Sequence, residues 1–276
     1  MNRLAVGFFD GVHLGHQAIL RGATSALTFA NHPLTVLAPE KAPPLVMSVE
    51  DRIAAIRACG VSDVTVLEFT RDLAALAPEE FMRERLVAGR SEVTVVCGGN
   101  WRFGSGGSGD AAFLRAHGVA VEVVPYAEFE GRPVSSSRIR LALSEGDLRA
   151  ANAMLGRPFA VTGRVVRGKG LGRELGSPTV NLVPAPVPVL PRGVYVVGMN
   201  GRTGVANWGL APTMGARAWR EPVLEVHLLG EGKVEESAAQ ERVEFRRYLR
   251  PERTFPTISE LRAQIARDLE EAVRTV

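Results

Sequence analysis

The sequence predicts a parallel α/β sheet domain over residues 1–156, then a small antiparallel β-barrel domain with a C-terminal helix over residues 157–276. Three observations predict it. In the first half, short apolar runs rich in β-branched residues alternate with helical segments, the rhythm of a parallel sheet. After Gly156-Arg157-Pro158 the text turns to short strands and turns, which suits an antiparallel barrel. An amphipathic helical segment closes the chain.

The elements follow in order. Leu4 to Phe9, Ala26 to Phe29, Val64 to Phe69, Val93 to Cys97 and Val119 to Val124 are largely apolar, and most lack strict alternation. Buried parallel strands have this pattern because both of their faces are covered. Ser48-Val49-Glu50-Asp51 predicts a helix start, with Ser48 as cap and an acid three residues on, and Gly60 predicts its stop. A further helical segment spans Asp147 to Leu155. In the second half Val161 to Val166, Val194 to Gly198, Leu224 to Leu228 and Arg242 to Phe245 are strand candidates, and Asn200-Gly201 is a hairpin-turn signal. Four prolines between Pro184 and Pro191 impose an extended loop. Thr257-Ile258-Ser259-Glu260 forms a capping box. Behind it Ile258, Leu261, Ile265, Leu269 and Val273 fall on one helical face, expected to pack on the barrel.

At 276 residues, 46% hydrophobic and 23% charged, the chain has the balance of an ordinary soluble globular protein. A net charge of +3 suits anionic ligands such as nucleotides, and is too weak and scattered for a nucleic-acid partner. No apolar run is long enough to span a bilayer. The opening apolar run is cut at Asp10, with no cleavage site behind it. Cys59 and Cys97 have no CxxC spacing and read as buried thiols of a reducing compartment. Together these features predict a cytoplasmic protein with neither a nucleic-acid nor a membrane partner.

Phe9-Asp10-Gly11-Val12-His13-Leu14-Gly15-His16 falls where the first strand hands over to the first helix. Ligands of open α/β sheets bind at the carboxyl ends of strands. Gly11 and Gly15 permit close backbone approach, a helix N-terminus offers N–H groups to phosphate, and His13 and His16, three apart, can face one anion. Ser135-Ser136-Ser137-Arg138-Ile139-Arg140 follows the fifth strand, where hydroxyls, N–H groups and arginines make a second phosphate cradle. These segments together resemble the nucleotidyltransferase superfamily that carries an HxGH signature on a Rossmann-like fold. The resemblance implies transfer of AMP from ATP to a phosphate-bearing acceptor, by electrostatic positioning and without a covalent intermediate. It implies catalytic roles for His13, His16, Asn100 and Arg140. ATP binding is implied at Gly7, Phe8, Asp10, Gly11, Gly15, Ser135, Ser136, Ser137 and Arg138. Ser137 stands where the family usually has Thr and keeps the hydroxyl.

Two further strand exits, Thr28-Phe29-Ala30-Asn31-His32-Pro33 and Gly98-Gly99-Asn100-Trp101-Arg102-Phe103-Gly104, resemble the flavin-side segments of bacterial FAD synthetases, which adenylylate FMN. The resemblance implies flavin contacts at Asn31, Pro33, Trp101 and Phe103, with His32 structural. In the second half come Gly168-Lys169-Gly170-Leu171-Gly172-Arg173, then Leu175 to Asn181, Gly193-Val194-Tyr195, Val205 to Gly209, Pro212-Thr213 and Leu224-Glu225-Val226-His227-Leu228. In that order they resemble the riboflavin kinase barrel of bifunctional bacterial riboflavin kinase/FAD synthetases. ATP, FMN and riboflavin are thereby implied as substrates, FAD as product and Mg2+ as the metal. Thr179 and Asn181, which offer hard oxygen donors, are implied as magnesium ligands, and Glu225 as acceptor of the riboflavin 5'-hydroxyl proton. Lys169, Leu171 and Ser177 depart from the family pattern, and Gly230 to Glu241 lacks its Asp-Leu-Tyr-Gly. These departures leave an alternative: a monofunctional FAD synthetase with an inactive barrel that is structural or flavin-binding.

Overall fold

A computed structural model describes residues 2–90, 92–166, 179–209, 222–229 and 239–274. The chain divides into two compact units, one of residues 1–45 and 49–136, the other of 46–48 and 137–276. In the first unit, β1 (Asn2–Val6), β2 (Ser25–Phe29), β3 (Asp63–Leu67), β4 (Val93–Gly98) and β5 (Ala120–Val124) are all parallel. Their order across the sheet is β3-β2-β1-β4-β5. The helices between them are α1 (Leu14–Leu20), α2 (Leu34–Leu37), α3 (Val49–Ala58), α4 (Arg71–Ala75), α5 (Pro78–Phe81) and α6 (Ala111–Ala116). On one face of the sheet Leu4, Val6, Leu27, Val95 and Cys97 pack with Phe81, Leu86, Phe103 and Leu114. The order reverses direction between β1 and β4, and a ligand crevice opens at such a switch point, at the carboxyl ends of the strands.

All five expected parallel strands are present, with two instructive differences. β1 stops at Val6 instead of running to Phe9, because Phe9 turns back with a positive φ of 55°. Its ring then fills the space beside Gly7, where a Cβ would lie 2.8 Å from it. β3 stops at Leu67, and the backbone of Phe69 bonds to the Asn31 side chain instead of to a strand. Between β5 and the serine cluster lies an unexpected hairpin, β6 (Glu128–Phe129) and β7 (Arg132–Pro133). Two helices follow, α7 (Ser136–Ser144) and α8 (Leu148–Leu155). Asp147 caps α8 by accepting the Ala150 N–H at 2.9 Å, and Gly156 ends it in a left-handed conformation.

The second unit holds a closed antiparallel barrel. Its strands are β8 (Phe159–Val166), β9 (Thr179–Pro184), β10 (Gly193–Met199), β11 (Arg202–Gly209), β12 (Val223–Leu228) and β13 (Gln240–Arg250), ordered β10-β11-β12-β9-β8-β13. β9 and β11 were not among the strand candidates, and β13 runs five residues past Phe245. The Asn200-Gly201 turn joins β10 to β11 as expected. Helix α9 (Ile258–Val273) starts at the Thr257 cap, whose hydroxyl accepts the Glu260 N–H. Ala272 and Leu269 pack against Val194, Val196 and Val205 on the barrel wall. Val273 is exposed, contrary to the expected stripe. Successive steps of four residues rotate about 40° each around a helix, so a stripe written that way winds off the buried face before reaching Val273. Asp268 takes the buried position instead, with a forked bond from Arg250 at 2.7 and 3.1 Å.

Asn152 fastens α8 to the barrel, accepting the Phe159 N–H at 2.7 Å and donating to the Phe245 carbonyl at 3.1 Å. Asn152→Ala leaves both backbone groups without this partner. The expected loss is about 1–3 kcal/mol of stability, seen as a lower denaturant midpoint at an unchanged slope.

Candidate functional site

The first site is the turn from β1 into α1. Phe9, Gly11 and Val12 all have positive φ, of 55°, 84° and 40°. Only glycine adopts this region freely, so the two side-chain-bearing residues are held there by their surroundings. Phe9 and Val12 are each 1% exposed, and Asp10 between them is also buried. The Gln17 side chain donates to the Val12 carbonyl at 2.9 Å, and Thr28 donates its hydroxyl to the Phe8 carbonyl at 2.9 Å.

His13 is the N-cap of α1, and its Nδ1 accepts the His16 N–H at 3.3 Å. The amide of His16 is therefore already engaged. The imidazoles of His13 and His16 stack with centroids 3.6 Å apart, and the Phe9 ring meets His16 edge-on. A Cβ at Gly15 would press 3.2 Å from His13 Cε1, so glycine is what lets the His13 ring occupy its cap position. Ser136, at the start of α7, donates its hydroxyl to the Asp10 carbonyl at 2.9 Å. The two motif segments thus meet at a single backbone carbonyl. Ser137, Arg138 and Arg140 follow on the same helix, with Arg140 donating to Ser137 Oγ at 3.3 Å.

The β2 and β4 exits flank this turn in the sheet order. Asn31 has both ends of its amide on the Phe69 backbone, at 2.8 and 3.0 Å, which ties the exits of β2 and β3 together. His32 Nδ1 accepts the Leu34 N–H, a structural use, and Pro33 precedes α2. Trp101 stacks on Phe103 with centroids 4.8 Å apart, and Phe103 is itself a core residue beside Phe81 and Phe113. Of that aromatic pair, Trp101 is the less buried. Asn100 is exposed just past β4, its Oδ1 3.5 Å from where a Gly98 Cβ would be.

The second candidate site lies on the outer face of the β9–β12 pair. Antiparallel register sets Asn181 opposite Glu225 and Thr179 opposite His227, while Asn207 of β11 faces Glu225 from the other side. Val180, Leu182, Leu224 and Val226 alternate with them and are buried. His227 Nε2 lies 3.7 Å from Glu225 Oε1, and its Nδ1 lies 3.5 Å from the Thr179 hydroxyl. The oxygens of Thr179 and Asn181 are hard donors that fit a magnesium ion sharing its shell with phosphate and water, with the Glu225 carboxylate opposite Asn181. Among the described residues no cluster of three His, Cys, Asp or Glu side chains forms a closed metal cage. The glycine-rich segment Gly168 to Arg173, along with Ser177, Pro212-Thr213 and most of Gly230 to Glu241, lies outside the described residues. Asp268 and Arg250, close to this face, escaped sequence reading because a charged pair on a helix and a distant strand carries no local signature.

A parallel sheet with an HxGH turn at its switch point, followed by a closed barrel, defines a nucleotidyltransferase of the HxGH class that carries a second domain. The comparisons are specific. A family model described as FAD synthetase matches residues 2–138, and one described as riboflavin kinase matches residues 155–276. A bifunctional riboflavin kinase/FMN adenylyltransferase of Escherichia coli (strain K12) is 36% identical, over 96% of this chain and 90% of that protein. Its namesake in Bacillus subtilis (strain 168) is 34% identical over 98% and 91%. A crystal structure of a Streptococcus pneumoniae protein described as a macrolide-efflux protein shares the fold, with a TM-score of 0.83 and 28% identity over all of this chain and 94% of that one. The chain belongs to the bifunctional riboflavin kinase/FMN adenylyltransferase family. Both domains of that family are present, so the monofunctional alternative gains no support. Among the described residues no helix is long and apolar enough to cross a membrane.

Burial holds the His227 imidazole below its ordinary 6.5, against the opposing pull of Glu225 and Asp268. A lowered folded pKa means that the unfolded chain binds the proton first as pH falls. Stability is therefore expected to drop as pH falls from about 6.5 toward the folded pKa. Denaturant titrations of metal-free protein should show a steeper loss across that window for wild type than for His227→Gln; equal slopes would remove the assignment.

Proposed function

We propose that this chain carries out two successive steps of flavin nucleotide synthesis: riboflavin and ATP give FMN and ADP, then FMN and ATP give FAD and pyrophosphate. Adenylyl transfer is assigned to residues 1–156 and phosphorylation to residues 157–276. The observation that carries the reading is the stacked His13–His16 pair, at the switch point of the sheet and braced by Ser136 on Asp10.

In adenylyl transfer an oxygen of the FMN phosphate attacks the α-phosphorus of ATP and pyrophosphate leaves. No side chain needs to act as nucleophile. His13 and His16 stabilise the charge gathering on the departing phosphates; Arg138 and Arg140 on α7 are assigned charge-assisted donation to phosphate, and Asn100 at the β4 exit a neutral amide donor. Gly7, Phe8, Asp10, Gly11 and Gly15 provide a close backbone wall for ATP, and Ser135, Ser136 and Ser137 provide hydroxyls. On the flavin side Trp101 offers a ring face supported from below by Phe103. Asn31 and Pro33 shape the opposite edge, Asn31 through its hold on Phe69.

In the barrel, Glu225 takes the proton of the riboflavin 5'-hydroxyl as that oxygen attacks the γ-phosphorus, the bond to the β-phosphate oxygen breaks and ADP leaves. Thr179 and Asn181 would hold Mg2+, which neutralises phosphate charge when bound. The ligands are small molecules, and the thiols of Cys59 and Cys97 suit the reducing cytoplasm.

FAD formation is tested by incubating the protein with ATP, magnesium and FMN and separating the products; absence of FAD would falsify the adenylyl-transfer step. His16→Ala is expected to lower FAD formation by about 10²–10³-fold or more, while riboflavin is still converted to FMN. Conversely, Glu225→Gln should cut FMN formation by about 10²–10⁴-fold and leave the FMN-to-FAD step near wild type. Loss of both steps in either variant would contradict the division between the two sites.

A further inference from the structure

Arg52 has no place in either motif, yet it is the most completely buried charged side chain near the first site. It sits on α3 at 0% exposure. Its guanidinium donates from Nη1 to the Phe8 carbonyl at 3.2 Å and from Nη2 to the carbonyls of Phe29, at 2.5 Å, and Ala30, at 3.4 Å. Cζ also lies 4.4 Å from the centroid of the Phe8 ring. One planar group therefore spans the exits of β1 and β2, the two adjacent strands whose loops carry the HxGH turn and the Asn31 segment. The Phe8 carbonyl receives a second donor, the hydroxyl of buried Thr28.

Burying an arginine is unfavourable unless its charge and its N–H groups are met. Here the opposing charges are Asp10 and Glu50, which work against the lowering of its pKa by burial. Asp10 belongs to the turn itself. Its neighbours Phe9, Gly11 and Val12 all have positive φ, so the chain needs external restraint to keep this shape. The restraint enters from two ends: Arg52 and Thr28 at Phe8, and Ser136 at Asp10.

We infer that Arg52 is a positioning residue for adenylyl transfer: its forked guanidinium locks the β1 and β2 exits together and so sets the placement of His13 and His16. It does not serve as a phosphate ligand, since its Nη donors are turned onto backbone carbonyls and its Nε is buried. The inference rests on the adenylyl-transfer reading above. Lysine keeps the charge and loses the fork, so it cannot span the same three carbonyls in one plane.

The test compares wild type, Arg52→Met and Arg52→Lys in FAD formation from ATP and FMN, with thermal melts of each sample. A misplaced turn weakens contacts made in the transition state. Accordingly, kcat is expected to fall about 10²-fold in Arg52→Met, with KM for ATP changed by no more than about threefold. Arg52→Lys should recover part of that loss. A purely structural arginine would lower the melting temperature and leave kcat of the folded enzyme intact. If neither variant folds, Thr28→Val decides, because it removes the other donor to the Phe8 carbonyl without touching Arg52. A kcat loss of about fivefold or more then supports the clamp. Wild-type protein that makes no FAD removes the reading underneath. Wild-type protein that makes FAD, beside a folded variant with kcat within about twofold of it, overturns the role of Arg52 alone.

Discussion

Everything at the first site depends on a backbone turn that the chain would not hold by itself. Phe9 and Val12 take up a region of φ that costs a residue with a Cβ about 1–3 kcal/mol each. Both side chains are almost wholly withdrawn from water, and burial of side chains this size returns about 1.5–3 kcal/mol apiece. The turn is thus near balance before any hydrogen bond is counted, and the bonds to Phe8, Asp10 and Val12 decide its shape. Catalysis by positioning needs such a shape in advance of substrate, because donors that must reorganise during reaction lose much of their effect.

The barrel solves a comparable problem with strand register. Alternation sends Val180, Leu182, Leu224 and Val226 inward and leaves Thr179, Asn181, Glu225 and His227 together on the outer face. A one-residue slip of either strand would exchange the two sets. Register here is therefore a chemical constraint as much as a structural one. Helix α9 adds a dry flank through Ala272 and Leu269, and its buried Asp268 accepts the fork from Arg250.

Much of this was legible in the sequence because it rests on periodicity and local motif. The five parallel strands show as apolar runs, and the HxGH segment falls at the β1 exit as required, while the serine segment is set off from β5 by the β6–β7 hairpin. Other features depend on partners remote in the chain. The positive φ of Phe9 has no local signature, so the first run reads as strand beyond its true end. β11 is disguised by Gly204, which is needed because a Cβ there would lie 2.3 Å from the His227 carbonyl. Arg52 stands in a short amphipathic segment where a basic residue ordinarily reads as solvent-facing. Only the fold shows the carbonyls that receive it.

The cap made by His13 has one more consequence. A backbone N–H can only donate, so the Nδ1 that receives it must present a bare lone pair. The ring proton of neutral His13 is therefore confined to Nε2, and a single tautomer is selected by the helix start itself. The opposite nitrogen is then a donor by tautomer, without needing an acquired charge. An anion approaching that edge meets the same hydrogen-bond polarity whether or not the ring has titrated, and the cap bond is what a second proton would have to displace.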